Sequence, residues 1–340
     1  MPGVQVKVGY KFAVLALAHP RATIELPSMF PIGDYFALSR TLPENAIETW
    51  EDTIGRLHRS ELEEESLFVW ALKPSDNPGV LDAENEVLQR DAYRLCLGLL
   101  IAVPFFSTGR ITSLSGANAG HGARVRSLTT YAQTYHTVGV PTPTITATRA
   151  RFAASMAEAL VKHETQHQHG RFVRTLRTFR EACETYHLDQ RLHQFVRALE
   201  GFTAPPFRNS RVHFAERIKR ICAGPASRHL LEMYTIRSGI EHLHGPYDRL
   251  RKFSDREKWQ RLVVRCVEAE VVARYMISTY LSNQQLWPHF ESRESIDAFW
   301  HLKPAAFRML WRTRIHFPTI AKGIEHRTLE REYSKEFARG

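Results

Sequence analysis

Tyr234-Thr-Ile-Arg237-Ser238-Gly-Ile-Glu241-His242-Leu-His244-Gly245 closes a stretch that reads as a helix from about 227 to 244 and stops at Gly245-Pro246. Outward from it, helical periodicity recurs at about 149–168, 171–186, 188–201, 209–223 and 255–283, with shorter helices near 294–302 and 304–315. Breaks fall at Gly170, Pro205-Pro206 and Gly224-Pro225, where proline removes a backbone donor or glycine frees the turn. The threonine-rich segment 130–148, with Pro141 and Pro143, reads as an extended connector. Upstream the pattern is mixed. Alternating Val4, Val6, Val8 and Tyr10 followed by the apolar run 12–18 read as strand. One helix opens at Pro43 in Thr41-Leu-Pro-Glu-Asn, the acidic run 61–65 reads as a solvated face, and a further helix covers about 83–102. Segment 107–122 reads as a flexible loop. Its Gly116, Gly120 and Gly122 lack both the Lys-Ser/Thr ending of a phosphate loop and the Gly-x-Gly-x-x-Gly spacing of a dinucleotide turn. The expected fold is mainly α: a mixed α+β domain over 1–145, a helical domain over 146–290 and a helical extension over 291–340. No repeat at solenoid periods is present.

The composition of the 340-residue chain, 43% hydrophobic and 24% charged, is that of a globular protein and argues against disorder. No apolar run approaches the roughly 18 residues a membrane span needs. The apolar N-terminal stretch stops at His19-Pro20 and reads as strand rather than signal peptide, so a cytoplasmic protein is expected, with no membrane partner. Cys96, Cys183, Cys222 and Cys266 lie far apart without a Cys-x-x-Cys pair, which argues against a disulfide framework or a cysteine zinc site and for buried thiols. The net charge of +10 is unevenly spread. Residues 1–144 hold 12 Lys+Arg against 15 Asp+Glu, 145–283 hold 24 against 14, and 284–340 hold 10 against 7. The surplus of the middle segment is mostly arginine, whose planar guanidinium suits phosphate, so RNA, DNA or a nucleotide is a candidate ligand; a solvated helical surface is the alternative.

On the opening stretch, arginine and histidine recur together. At about 100° per residue, His244 returns to nearly the face of Arg237 two turns away, whereas His242 is rotated by about 140°. Guanidinium beside imidazole suits phosphodiester cleavage, because the first steadies charge on phosphate and the second moves protons near neutral pH. The same residues also fit a helix C-terminus whose histidines favour the negative dipole end before a glycine cap. In its wider context the chain resembles the HEPN domains, specifically the Apea-like group. Phe195-Val-Arg-Ala-Leu199-Glu200-Gly-Phe looks like that group's "ALE" helix, and Phe214-Ala-Glu-Arg217-Ile-Lys-Arg-Ile like its arginine-bearing second helix. Tyr234-x-x-Arg237-Ser238 through His244-Gly245 looks like its "Y-x-x-RS…HG" signature, and a long helix follows. The resemblance covers roughly 150–283. It implies a C-terminal HEPN-like helical bundle that forms a homodimer, with two Arg/His motifs facing each other in a composite cleft. It further implies a metal-independent endoribonuclease acting on RNA without a cofactor, of the sort found in toxins and phage-defence systems. Arg237 would hold the phosphate, His242 or His244 would act as general acid or base, and Ser238 would help position ribose or phosphate. The group usually has one histidine, five residues after the arginine and directly before the glycine; here His242 keeps the spacing and His244 keeps the glycine. Some members of the family lack catalysis and serve as dimerisation or ligand-binding modules, and the N-terminal domain would then sense a regulatory partner or ligand.

A competing pattern stands upstream in His163-Glu164-Thr165-Gln166-His167, a match to His-Glu-x-x-His. On a helix His163 and His167 would share a face and could bind zinc while Glu164 activates water. The longer peptidase motif, begun by His167-Gln-His169-Gly170, has Val173 where its third ligand belongs. A solvated, histidine-rich helix end is the simpler reading. Trp70, Trp259, Trp287, Trp300 and Trp311 sit on separate elements and read as core anchors or partner contacts rather than base-stacking platforms. The last 20 residues mix charges without an apolar stripe and read as a solvated tail. No Gly-x-Ser-x-Gly elbow is present.

Overall fold

Phe12, Val14 and Ala16 are fully buried, and so are Ala13 and Leu17 on the opposite face of the strand. A strand buried on both faces must be central and covered on each side. In the computed structural model this strand, β1 (Tyr10–Leu17), lies in the middle of an antiparallel sheet with β3 (Met29–Ile32), β4 (Phe36–Ser39), β5 (Leu67–Pro74), β6 (Ile111–Asn118) and β7 (Ala123–Tyr131), in the order β3-β4-β5-β1-β6-β7. The short β2 (Thr23–Glu25) pairs instead with β8 (Thr144–Thr146), in parallel. The structure describes residues 6–18, 20–42, 44–77, 79, 82–105, 111–120, 122–131, 135, 142–166, 170–242, 250–322 and 324.

Phe12, Val14 and Ala16 share a core cluster with Trp50, Ile54 and Leu62 of helix α1 (Glu44–Glu63), and the Phe12 and Trp50 rings stack at 5.7 Å. Helix α2 (Ala83–Ala102) packs on β1, β5 and β6. Its N-cap is Asp82, whose carboxylate takes the Glu84 and Asn85 backbone N–H groups and also meets the buried ammonium of Lys11. Glu84 lies 2.8 Å from the same ammonium, and its hydrogen bonds to Lys11, Ser75 and Lys73 hold its pKa down at about 2. Two sequence expectations are corrected here. Residues 111–118 of the expected loop form β6, hydrogen-bonded to both β1 and β7, because seven of the eight face into the core. The acidic run 61–65 is not uniformly solvated: Leu62 enters the core and Glu65 is buried.

The chain divides into two units, Met1–Tyr135 with Thr142–Val161, and His136–Pro141 with Lys162–Gly340. The division falls inside helix α3 (Ala147–Gln166), whose first turns approach α2 where Gly98 leaves no side chain against the Ala153 carbonyl.

The second unit is helical. It contains α4 (Arg171–Glu184), α5 (Leu188–Thr203), α6 (Ser210–Ile221), α7 (Ser227–Glu241), α8 (Asp255–Ser282), a 3-10 turn (Gln284–Phe290), α9 (Arg293–Trp300), α10 (Pro304–Leu310) and α11 (Phe317–Lys322). The two-residue strands β9 (Cys222–Ala223) and β10 (Ile315–His316) pair in parallel. Helix α5 packs against α4, α7 and α8, burying Leu192, Phe195, Val196, Leu199 and Phe202. Long α8 starts in a capping box between Ser254 and Glu257. The observed architecture is thus α+β, a six-stranded antiparallel sheet followed by a helical unit. Trp70, Trp259, Trp287, Trp300 and Trp311 are all buried, and so are the four free cysteines. Among the described residues no helix is long and apolar enough to cross a membrane. The expected solvated tail lies outside the described residues apart from 321, 322 and 324.

Helix α4 reaches α5 closely at Gly201, where an added Cβ would lie 2.9 Å from the Thr175 Cβ and closer still to its hydroxyl. Gly201→Val should destabilise the protein by about 1–3 kcal/mol through overpacking. Thermal unfolding of the variant beside wild type measures this, and an unchanged Tm would show that the two helices separate freely.

Candidate functional site

Helix α7 stops at Glu241 because His242 leaves the helical path, its backbone N–H reaching the Ser238 and Gly239 carbonyls at 3.2 Å as a C-cap. This is shorter than the expected helix to 244. His244 lies outside the described residues. His242, which helical phase alone would have turned away, lines one cleft with Arg237 and Ser238.

That cleft measures about 790 Å³. Its walls come from the start of α4 (Arg171), the end of α5 (Glu200), the turn at 204–209, the start of α6 (Ser210, Arg211) and the start of α9 (Arg293), with the C-terminal half of α7 along one side. Four arginines and two glutamates line it. Both glutamates serve one arginine. Arg237 Nη2 donates to Glu200 Oε2 at 2.7 Å, while Nη1 donates to the Glu241 carboxylate one turn on. The Tyr234 ring lies 5.6 Å from the same guanidinium, a cation–π contact. Arg171, Arg211 and Arg293 have no ion pair among the described residues. Arg211 donates to the Thr235 hydroxyl at 3.3 Å and Arg293 to the Pro205 carbonyl at 3.4 Å. Burial, together with the charges of Arg174 and Arg293, presses the Arg171 pKa down. Guanidinium groups gathered in this way suit the oxygens of an anion.

The carboxylate behind Arg237 is in a poor place for charge. Burial pushes the Glu200 pKa up, and the Arg237 charge and a hydrogen bond from Tyr234 oppose that push. The Tyr234 hydroxyl is in turn raised to about 12, first by burial and then by the Glu200 charge. His193, two turns before Glu200 on the same face of α5, has both ring nitrogens buried without a hydrogen-bond partner among the described residues. Burial and the charges of Arg237 and Arg197 lower its pKa, against Glu241 and Asp189.

The second pattern from the sequence falls elsewhere. His163 is 2% exposed, its Nε2 lies 2.9 Å from the Tyr280 hydroxyl, and its ring is packed edge-on to Phe172, Tyr280 and Trp287. These are the surroundings of a core histidine. Glu164 is only partly buried, and His167 lies outside the described residues. Among the described residues no group of three or more His, Cys, Asp or Glu side chains is placed to hold a metal ion.

Sequence reasoning named Arg237, Ser238 and His242 and missed most of the wall: Arg171, Arg211, Arg293, Tyr234 as a ring beneath the guanidinium, and the carboxylate pair. Only Glu241, four residues after Arg237, carried a local signal. No protein-family model, curated protein or solved structure matches the chain.

Because the His193 pKa is depressed in the folded protein, the unfolded chain binds the proton more readily. The stabilisation is present above the ordinary histidine value of about 6.5 and is lost as pH falls toward the folded value. Lowering the pH from 7.5 to 5.5 should therefore cost wild type more stability than His193→Phe, a difference read from urea unfolding midpoints. Equal losses would place the acid sensitivity elsewhere.

Proposed function

We propose that this cleft binds the RNA backbone and cleaves it as a HEPN-type endoribonuclease, with Arg237 and a histidine of the α7 C-terminus as the reacting pair. The observation that carries the reading is the meeting of Arg237, Ser238 and His242 in one cleft with three further arginines that have no ion pair among the described residues. Arg237 takes the non-bridging oxygens of the scissile phosphate. To do so it exchanges a carboxylate. Glu241, 43% exposed, is the one that yields, and Glu200, 19% exposed and held by Tyr234, keeps the guanidinium oriented from behind. Ser238 steadies ribose or phosphate beside it.

His242 or His244 removes the proton from the ribose 2′-hydroxyl as that oxygen attacks the adjacent phosphorus. The bond to the 5′-oxygen breaks, and that oxygen leaves with a proton from a second imidazole, giving a 2′,3′-cyclic phosphate and a 5′-hydroxyl. A homodimer with facing clefts supplies base and acid from its two copies, and neither step calls for a metal ion. A second reading, a non-catalytic module that binds a nucleotide or nucleic acid, is favoured by the double carboxylate clamp on Arg237.

Purified protein and end-labelled structured RNA in excess EDTA test the reaction. Wild type is expected to cleave, and Arg237→Ala to lose about 10²–10³-fold in rate, the scale for removing a charge-stabilising donor. His242→Ala and His244→Ala assayed separately identify the proton-transfer group by a loss of about 10²–10⁴-fold. Cleavage unaffected by Arg237→Ala sinks the proposal, and RNA binding without turnover supports the second reading. Glu241→Gln should lower KM several-fold with little change in kcat, because phosphate then displaces a neutral amide; a raised KM would assign Glu241 a substrate contact instead.

A further inference from the structure

Among the large hydrophobic residues of the described chain, Phe207 is the most exposed, at 95%, and it lines the cleft. Its aromatic neighbours in sequence, Phe202 and Phe214, are both buried. The turn that carries it, between α5 and α6, is braced at every step. Ala204 and Asn209 stand at either end with φ of 38° and 56°, and they are the only non-glycine residues at positive φ among those described. Pro205 and Pro206 fix the backbone between them. The Ser210 hydroxyl reaches the Pro206 and Phe207 carbonyls at 2.8 and 2.9 Å, and buried Arg217 donates to the Thr203 and Ala204 carbonyls at 2.6 and 3.2 Å. Strained backbone persists only where its surroundings over-determine it, and here the strain holds an apolar ring out in water.

We infer that Phe207 is a stacking platform for an unpaired nucleobase, so that the cleft takes single-stranded RNA in preference to a duplex. The inference rests on the cleft's proposed role as an RNA site. A backbone running along Arg171, Arg211 and Arg293 places its bases at the rim. A rigid aromatic ring there gains affinity from any base face and loses none to ordering its own loop. Bases within a duplex are stacked on one another and offer no face, whereas loops and tails do. A second copy of the chain is the less favourable occupant. Exposed Arg208 and Asn209 follow it in the chain and Arg211 lines the same cleft, and the core of a protein interface is depleted in such charge.

Fluorescence anisotropy with a labelled ten-nucleotide 2′-O-methyl oligoadenylate, and with its duplex, tests this at fixed ionic strength. The 2′-O-methyl group blocks the attacking hydroxyl, so binding is read whether or not the protein cleaves. Wild type should bind the single strand about ten-fold more tightly than the duplex. Phe207→Ala should lose about ten-fold on the single strand and little on the duplex, and Phe207→Trp should restore it. Equal loss on both strands, no loss, or no binding by wild type overturns the inference. So does a fall in oligomeric state of Phe207→Ala in sedimentation, which would make the ring a dimer contact. Phe207-dependent single-strand binding by a protein that never cleaves RNA would defeat the nuclease reading alone; cleavage indifferent to Phe207 would defeat this one alone.

Discussion

The ion pair between Glu200 and Arg237 joins the two helices on which the cleft depends. Helix α5 buries an apolar stripe against α4, α7 and α8, and it must end with a carboxylate in a place where burial opposes charge. Only a cation makes that position tolerable, and Arg237 supplies it from α7. Removing Arg237 would leave the mostly buried Glu200 carboxylate without its cation, which costs more than the pair itself is worth. The geometry of the guanidinium is therefore set by the helical core and not by the ligand. An arginine held this way is fixed in orientation by Glu200 and has part of its charge balanced by the more exposed Glu241.

The arginine surplus of residues 145–283 serves two ends. Arg191 and Arg274 are buried against Glu270, Arg265 against Glu232 and Glu268, and Arg217 against carbonyls and Asp297. These charges build the helical unit and add little to its outer field. Arg171 and Arg211 of this segment, with Arg293 beyond it, line the cleft and have no ion pair among the described residues. Net charge along a sequence thus overstates the basic surface, because a guanidinium can satisfy several buried acceptors at once. The 3-10 turn and α9 join this scheme, since Arg217 reaches Asp297 while Trp300 donates to the Phe202 carbonyl. The residues after 290 thereby brace the turn that presents Phe207.

Several helices were legible in the sequence, although α7 ends at Glu241 rather than 244 and the helix expected over 304–315 ends at Leu310, before β10. Expected helices at about 171–186, 188–201 and 255–283 stand at Arg171–Glu184, Leu188–Thr203 and Asp255–Ser282, because glycine, proline and capping residues act locally. The expected loop at 107–122 hid β6, whose Gly116, Ala117 and Asn118 have weak strand preference and are held by pairing to β1 and β7. The His-Glu-x-x-His match spelled a metal motif, yet His163 is enclosed by Phe172, Tyr280 and Trp287, rings brought to it from as far as 124 positions along the chain. Nothing within five residues could have announced that enclosure.

The sequence by itself determined the helical order, the breaks between helices and the buried cysteines and tryptophans, and it set Arg237, Ser238 and His242 close together along the chain. All of these follow from periodicity, local backbone chemistry or closeness along the chain. Tertiary structure alone decided that Arg171, Arg211 and Arg293 converge on those three residues, that Glu200 stands behind Arg237, that His163 belongs to the core and that Phe207 faces solvent. Each of these depends on which helices pack together, and packing joins residues whose separation in sequence carries no periodic signal.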